Sequence, residues 1–369
     1  MSSAAPYGDP RAVAALVGRI SANAEHLPRR VTLMEVCGTH THAIAAAGLR
    51  RLLPAKVRLI AGPGCPVCVT PVGYVDRAEA LTRRSHTIVT TFGDLVRVPS
   101  STGSLERVRA EGADVRIVYS PRDALDTARE NPKSTVVFLA VGFETTVPTV
   151  AAALAEAERD RVPNFMILSG HKIMPPPMRA LIRDPEVQVD GYLLPGHVSV
   201  ITGSDAFRFV TEELGVPGVV VGFTPTDVLR GVEALVECLA AGTPRLVNLY
   251  ARVVRPEGNT TAKALVDRFF TTADVAWRGL GVIPGSGLAL RPEFAHRDAA
   301  LLAVELPEPV EPAGCRCGEV LKGSIEPPEC PLFATACSPA TPVGACMVSS
   351  EGTCAAWYRH ERLAVENGR

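Results

Sequence analysis

The run GPGCPVC, residues 62–68, directly follows VRLIA, residues 57–61. An apolar, β-rich run feeding two glycines, two prolines and two cysteines reads as a strand that ends in a stiff, exposed turn. Glycine admits positive φ, and proline fixes φ and removes an N–H donor. Cys65 and Cys68 are therefore held in a set geometry at the carboxyl end of a strand. That edge is where ligands and chemistry collect in open α/β sheets. In a cytosolic α/β setting, Cys-x-x-Cys is a candidate redox pair, because its thiols can close a disulfide and one can have a lowered pKa. A buried structural turn, or half of a zinc site, is the plainer alternative.

The same plan extends on both sides of this loop. Residues 9–24 have helical spacing of apolar positions. Residues 31–36 read as a strand ending in CGTHTHA, residues 37–43, with a helix behind it to residue 53. A helix over 74–84 leads to a strand at 86–91 that ends in FGDLVRVP, and a strand at 115–119 leads to the helix of SPRDALDTA. Strand–loop–helix units then recur. Residues 136–141 end in GFETT, 164–168 in SGHKIMPPP, 192–194 in PGHVSVITG and 219–221 in GFTPTDVL, with a helix to 239. Alternating strands and helices predict a parallel sheet. Four loops that recur at an offset of about 105 residues predict two halves of similar plan. The expected fold class is α/β: two similar α/β domains with parallel sheets, over 30–132 and 133–244, plus a loop-rich C-terminal part. Residues 1–29 and 245–369 form the third, helical and loop-rich domain. Within it 245–255 and 261–270 read as helices, and VIPGSGLALRPEFA, residues 282–295, as a connector.

If the two sheets present their carboxyl edges to one cleft, its lining is Cys37, His40, Cys65, Cys68, Asp94, Glu144, His171 and His197. Four of the eight histidines, His42 included, fall in these loops. Such a concentration of histidines carries more weight than any single one, since a lone loop histidine usually serves a local hydrogen bond.

At 369 residues the chain can bury a sizeable core, and its net charge of −1 gives no reason to expect nucleic acid or an anionic membrane as partner. The first residues lack a signal-peptide pattern, and no apolar run reaches the roughly 18 residues of a membrane span. A soluble, cytoplasmic protein is expected. There, ten cysteines point to metal or thiol chemistry rather than to a disulfide framework.

Six of the ten cysteines crowd between Cys315 and Cys354. Cys315, Cys330, Cys337 and Cys354 lie in a loop-rich segment that needs a substitute for a hydrophobic core, and a thiolate-bound metal centre provides one. The paired knuckles usual for structural zinc are absent, and the wide spacing suits an iron–sulfur cluster on four thiolates better. Cys317 and Cys346 remain as spare thiols that spacing does not exclude as ligands. In the first loop, Cys37 beside His40 and His42 combines a soft thiolate with imidazoles, a set suited to iron, zinc or copper with an open coordination position. A strand-to-helix turn capped by Thr39 or Thr41 is compatible with that role.

In this order, CGTHTHA, GPGCPVCVTP, FGDLVRVP, GFETT, SGHKIMPP, PGHVSVITG and CRCG…CPLF…C…CMVSSEGTCAAWY resemble the HypD family of [NiFe]-hydrogenase maturation proteins, over residues 31–358. The resemblance implies a redox-active scaffold, rather than a turnover enzyme, on which the Fe(CN)2CO fragment of the hydrogenase is assembled. It implies two similar α/β domains and a third with a [4Fe-4S] cluster. The implied partners are a small β-barrel chaperone, HypC, and a cyanide-donating carrier, HypE. By the family pattern Cys37 corresponds to the iron-binding cysteine, with His40 nearby. Cys65 and Cys68 correspond to the redox pair, and Cys315, Cys330, Cys337 and Cys354 to the cluster ligands. Asp94, Glu144 and His197 are candidate proton-handling groups. The rival readings are an iron–sulfur thiol/disulfide oxidoreductase acting on a small molecule, and a zinc-stabilised binding module. No GxGxxG or Walker-type loop supports the first.

Overall fold

The computed structural model describes residues 9–362. Helix Pro10–Glu25 is the first described element, with Asp9 as its N-cap accepting the Arg11 N–H and proline at the first helical position, where a missing N–H costs nothing. Eleven strands follow among the described residues: β1 Val31–Glu35, β2 Val57–Ala61, β3 Thr87–Thr91, β4 Val115–Ile117, β5 Thr135–Gly142, β6 Phe165–His171, β7 Gly191–Pro195, β8 Gly218–Val221, β9 Leu246–Asn248, β10 Phe270–Trp277 and β11 Gly281–Leu290.

Nine of them form two sheets, in the orders β2-β1-β7-β8-β9 and β4-β3-β5-β6, with every neighbouring pair parallel. Parallel sheets are covered on both faces, so their strands read as unbroken apolar runs rather than as alternation. TVVFLAVG of β5 and GVVV of β8 are of this kind, and every β8 residue is buried. Each sheet has its own switch point, where the strand order reverses. It lies between β1 and β7 in the first sheet and between β3 and β5 in the second.

The pairing departs from the contiguous division at residues 132 and 133. β1 and β2 belong with β7 to β9, and β3 to β6 form an inserted second sheet. The loop spacing reports a local strand–loop–helix length, which is the same whichever neighbour a strand takes. Pairing of Leu33 with Gly191 is set by long-range contact. Helix Pro10–Glu25 likewise does not join the C-terminal region. Its Leu16, Ile20 and Ala24 are buried in the outer core of the first sheet, with Leu33, Val219, Val228 and Val232. Arg19 pairs with Glu233 across the same contact.

Two later segments also differ from the sequence reading. Residues 245–255 are not helical: β9 pairs with β8, and Asn248 Nδ2 donates to the Val254 carbonyl to close the turn behind it. The glycine-rich run expected as a connector is β11, which pairs antiparallel with β10 across a register shift between Ala273 and Val275. There Gly285 has φ +60° and its N–H donates to Asp274 Oδ1. The glycines that looked like loop signals serve a bulge, which bends and twists a strand pair.

The C-terminal cysteine region has little core of its own. Val320, Leu321, Met347 and Ala355 share one apolar cluster with Met34, Ile60, Val69, Phe143 and Met174, so the region is packed against both sheets. No helix among the described residues is long and apolar enough to cross a membrane.

Candidate functional site

β1 and β2 run parallel with Glu35 beside Ala61, so the loops that follow them lie side by side. Gly62 N–H donates to the Glu35 carbonyl at 2.7 Å and Gly38 N–H to the Gly64 carbonyl at 2.9 Å. A Cβ on Gly64 would run into the backbone of Cys37. This close approach needs glycine, and it stacks the lone-cysteine loop directly on the cysteine-pair loop.

Cys65 and Cys68 are joined as a disulfide with Cα atoms 5.3 Å apart. The expected exposure is corrected: the two residues are only 3% and 0% exposed. The C-terminal region covers them. Cys68 Sγ faces the Ala345 carbonyl at 4.0 Å, and a Cβ on Gly352 would lie 3.1 Å from the same sulfur. Sequence gives the turn, whereas the cover comes from residues far along the chain. In folded protein, reduction and alkylation of this pair by soluble reagents is expected to be slower than in denaturant by at least about an order of magnitude, because opening must come first. Mass spectrometry reads it as a two-thiol change. Equal rates in both conditions would show that the cover is no barrier.

Cys37 is the N-cap of helix Gly38–Ala46, in extended conformation with φ −149°, and is 9% exposed. Burial pushes its thiol up to about 12, against the amide N–H of His40, and the Glu35 and Glu351 carboxylates push the same way as burial. Glu35 lies fully buried beneath it. Its Oε2 accepts the Cys37 N–H at 3.0 Å and its Oε1 the Thr41 hydroxyl at 2.5 Å. Above the loop stands Glu351, whose Oε1 accepts the Thr39 hydroxyl at 2.9 Å.

His40 is anchored through one ring nitrogen, and its other, Nδ1, is buried without a hydrogen-bond partner. Its Nε2 pairs with the Gly222 carbonyl at 2.9 Å, its ring stacks on Phe223 at 4.8 Å, and burial holds it down to about 4. His197, which follows β7 across the switch point, stacks on Phe223 at 3.9 Å and is exposed. The loops after β1 and β7 thus meet around one aromatic ring at the crevice that the switch-point rule singles out. His42 makes an edge contact with His360 at 5.1 Å instead, and His171 is buried beside Phe270.

Asp94 and Glu144 belong to the other switch point, after β3 and β5. Asp94 is exposed in the first turn of the short helix Gly93–Val96. Glu144 is buried, with Oε1 accepting the Met174 N–H at 2.8 Å and Oε2 without a hydrogen-bond partner. Burial raises its carboxyl from 4.5 to about 7. A carboxyl raised on folding contributes stability that is fully present below its unfolded value near 4.5 and is lost as pH rises through about 7. The span corresponds to roughly 3 kcal/mol at most. Glu144→Gln keeps an acceptor for Met174 and never ionises. Urea midpoints measured from pH 5 to 8 are therefore expected to fall less steeply than in the parent, and parallel profiles would clear Glu144.

Glu35, Glu351 and Phe223 were not singled out from sequence. A glutamate inside the apolar run VTLMEV was a usable signal for Glu35. Nothing local marks Glu351 or Phe223.

All six C-terminal cysteines line one small cavity with Leu332, Phe333 and Met347. Sulfur contacts run from Cys315 to Cys317, on to Cys346, and from there to Cys354. Cys337 Sγ accepts the Val343 N–H and Cys346 Sγ the Cys354 N–H, each at 3.3 Å. The four expected ligands and the two spare thiols are thus brought to one place. A soft, all-sulfur lining closed by apolar side chains suits metal binding. Among the described residues, no three or more His, Cys, Asp or Glu side chains are disposed to hold a single metal ion. Each thiolate around a polynuclear cluster binds a different iron, so the thiolates need not converge on one point.

Two doubly wound sheets, with a lone cysteine, a cysteine pair and a thiol-lined cavity brought together, define a thiol-rich α/β protein whose cysteine lining suits metal binding. The chain belongs to the HypD family, whose model, described as the hydrogenase formation hypA family, matches residues 11–361. It is 46% identical over 366 residues to the hydrogenase maturation factor HypD of Escherichia coli K12, covering 98% of each chain. The HypD of Azotobacter vinelandii is 46% identical, with 94% of this chain and 93% of the relative covered. That of Cupriavidus necator is 44% identical, with 94% and 95% covered.

Proposed function

We propose that this protein is a [NiFe]-hydrogenase maturation factor, a redox-active scaffold on which the Fe(CN)2CO fragment is assembled with a small β-barrel chaperone of the HypC type. A HypE-type carrier delivers the cyanide groups, and the work is done in the cytoplasm. The observation that carries this reading is the contact of Cys37 with the Cys65–Cys68 loop, and of that loop with the strand of chain between Cys346 and Cys354.

On this reading Cys37 holds the incoming iron, and a partner's thiolate completes the site. Cys37 is one thiolate with few protein donors around it, which leaves positions for diatomic ligands. The Cys65–Cys68 disulfide takes up two electrons and two protons to become two thiols, and returns them on closing. Its burial keeps this exchange away from bulk thiols. Cys315, Cys330, Cys337 and Cys354 are the proposed ligands of a [4Fe-4S] cluster, with Cys317 and Cys346 against them. When bound, such a cluster supplies or accepts single electrons. His197 handles protons at the opening, and Asp94 and Glu144 do so at the second sheet's crevice.

The test is anaerobic co-purification with the small chaperone, followed by infrared spectroscopy. Metal-bound cyanide and carbonyl bands on the complex are expected. Their absence from a stable complex, prepared with the cyanide carrier present, would overturn the scaffold role.

A further inference from the structure

Residues 349–352 touch all three sulfur sites within four positions. Glu351 lies over the Cys37 loop, and a Cβ on Gly38 would stand 2.5 Å from the Glu351 Cβ. Gly352, the next residue, packs against both Cys68 Sγ and the Cys346 carbonyl. Cys346 and Cys354, on either side, line the thiol cavity. The segment is a tight turn, with Gly352 N–H donating to the Ser349 carbonyl at 3.0 Å and Glu351 N–H to the Ser349 hydroxyl at 3.3 Å. Its far end is fixed. Helix Thr353–His360 packs along helix Gly38–Ala46, and Arg50 pairs with Glu361 at 2.5 Å.

One polar contact closes the turn onto the Cys37 loop, the hydrogen bond from Thr39 to Glu351. Thr39 is in the first turn of the nine-residue helix Gly38–Ala46, where a carboxylate is also favoured by the helix dipole. Glu351 is half-buried over the Cys37 loop and Cys37 is only 9% exposed, which leaves little of Cys37 open to a macromolecular partner.

We propose that residues 349–352 are a strap latched by Glu351 on Thr39, and that Glu351 is a positioning residue that controls access of the partner's thiolate to Cys37. The inference rests on the reading of Cys37 as the iron-holding cysteine. Lifting the strap opens the Cys37 loop and, through Gly352, removes one side of the cover over Cys68, whose other side is Ala345. Access to the iron site and access to the disulfide are thereby coupled through four residues.

The experiment is native alkylation of the full-length protein with N-ethylmaleimide, with quenched time points mapped peptide by peptide. Cys238, 1% exposed in helix Pro225–Ala240, serves as the internal reference. Glu351→Ala and Thr39→Val are each expected to speed Cys37 alkylation by about tenfold or more, the scale of losing a hydrogen bond to a charged group. Glu351→Gln retains an oxygen acceptor for Thr39, so it is expected to stay within about threefold of the parent. Cys238 is expected to keep its rate throughout. If Glu351→Ala also speeds Cys238, Thr39→Val, which removes only the hydroxyl, decides. Cys37 rates unchanged in Thr39→Val overturn the latch, as does Glu351→Gln reacting as fast as Glu351→Ala. These rates are read without iron, so the latch can fail while the infrared bands persist, and the bands can fail while the latch holds.

Discussion

Cys37→Ala is expected to abolish the infrared bands of iron-bound cyanide and carbonyl while leaving the C-terminal metal content intact. Cys37 is the thiol at the first sheet's switch point, and its neighbours do not substitute for it. His40 uses Nε2 on the Gly222 carbonyl and its ring on Phe223, so only Nδ1, a harder donor than a thiolate, is left. Glu35 is held by the Cys37 amide and Thr41. The Cys65 and Cys68 sulfurs are tied to each other. Cys37→Ser is expected to do nearly the same, since a hydroxyl is a poor replacement for a soft thiolate donor. The fold is expected to survive both changes, because the thiol contributes no side-chain cap to the helix it precedes. The chaperone can still dock through its remaining surface, so the readout is the iron's ligands as well as complex formation. Full-intensity bands in Cys37→Ala would make the cysteine structural and move the search to His197 and Glu351.

Cys330→Ala or Cys337→Ala is expected to bleach anaerobically isolated protein, and the parent is expected to be brown with about four irons and four sulfides. The metal-free segment is expected to loosen without unfolding the molecule. Metal binding contributes to folding of such loop-rich segments directly, yet Val320, Leu321, Met347 and Ala355 remain buried in the core shared with both sheets. Proteolysis is therefore expected to cut first within 312–358, with the two sheets persisting. Cys317→Ala, which leaves the four proposed ligands in place, is expected to keep the colour. Stoichiometric zinc without acid-labile sulfide would sink the cluster reading. A colourless Cys317→Ala protein would reassign one ligand.

Both predictions use residues that could be read from the chain, but their neighbourhoods could not. GPGCPVC and CGTHTHA announce themselves because glycine, proline and cysteine act locally, on φ, on N–H donors and on sulfur chemistry. Glu351 carries no such mark. Its placement over Gly38 brings it to a loop more than three hundred residues earlier in the chain. The disulfide was legible as a pair but not as a buried one, since its cover comes from Ala345 and Gly352.

By itself, the sequence determined the alternation of strands and helices, the placement of the cysteines at strand ends, and the crowding of six of them near the C-terminus. These are short-range properties, set by side-chain periodicity and turn chemistry within a few residues. Only the tertiary structure decided that β1 takes β7 as its neighbour, that β3 to β6 form an inserted sheet, and that a glycine-rich run becomes β11. Only it seated Glu351 on the Cys37 loop and Gly352 on Cys68. The physical reason is that strand pairing and burial are fixed by which apolar faces and backbone groups can satisfy one another across the whole chain. The same local pattern is compatible with more than one partner until the core is packed.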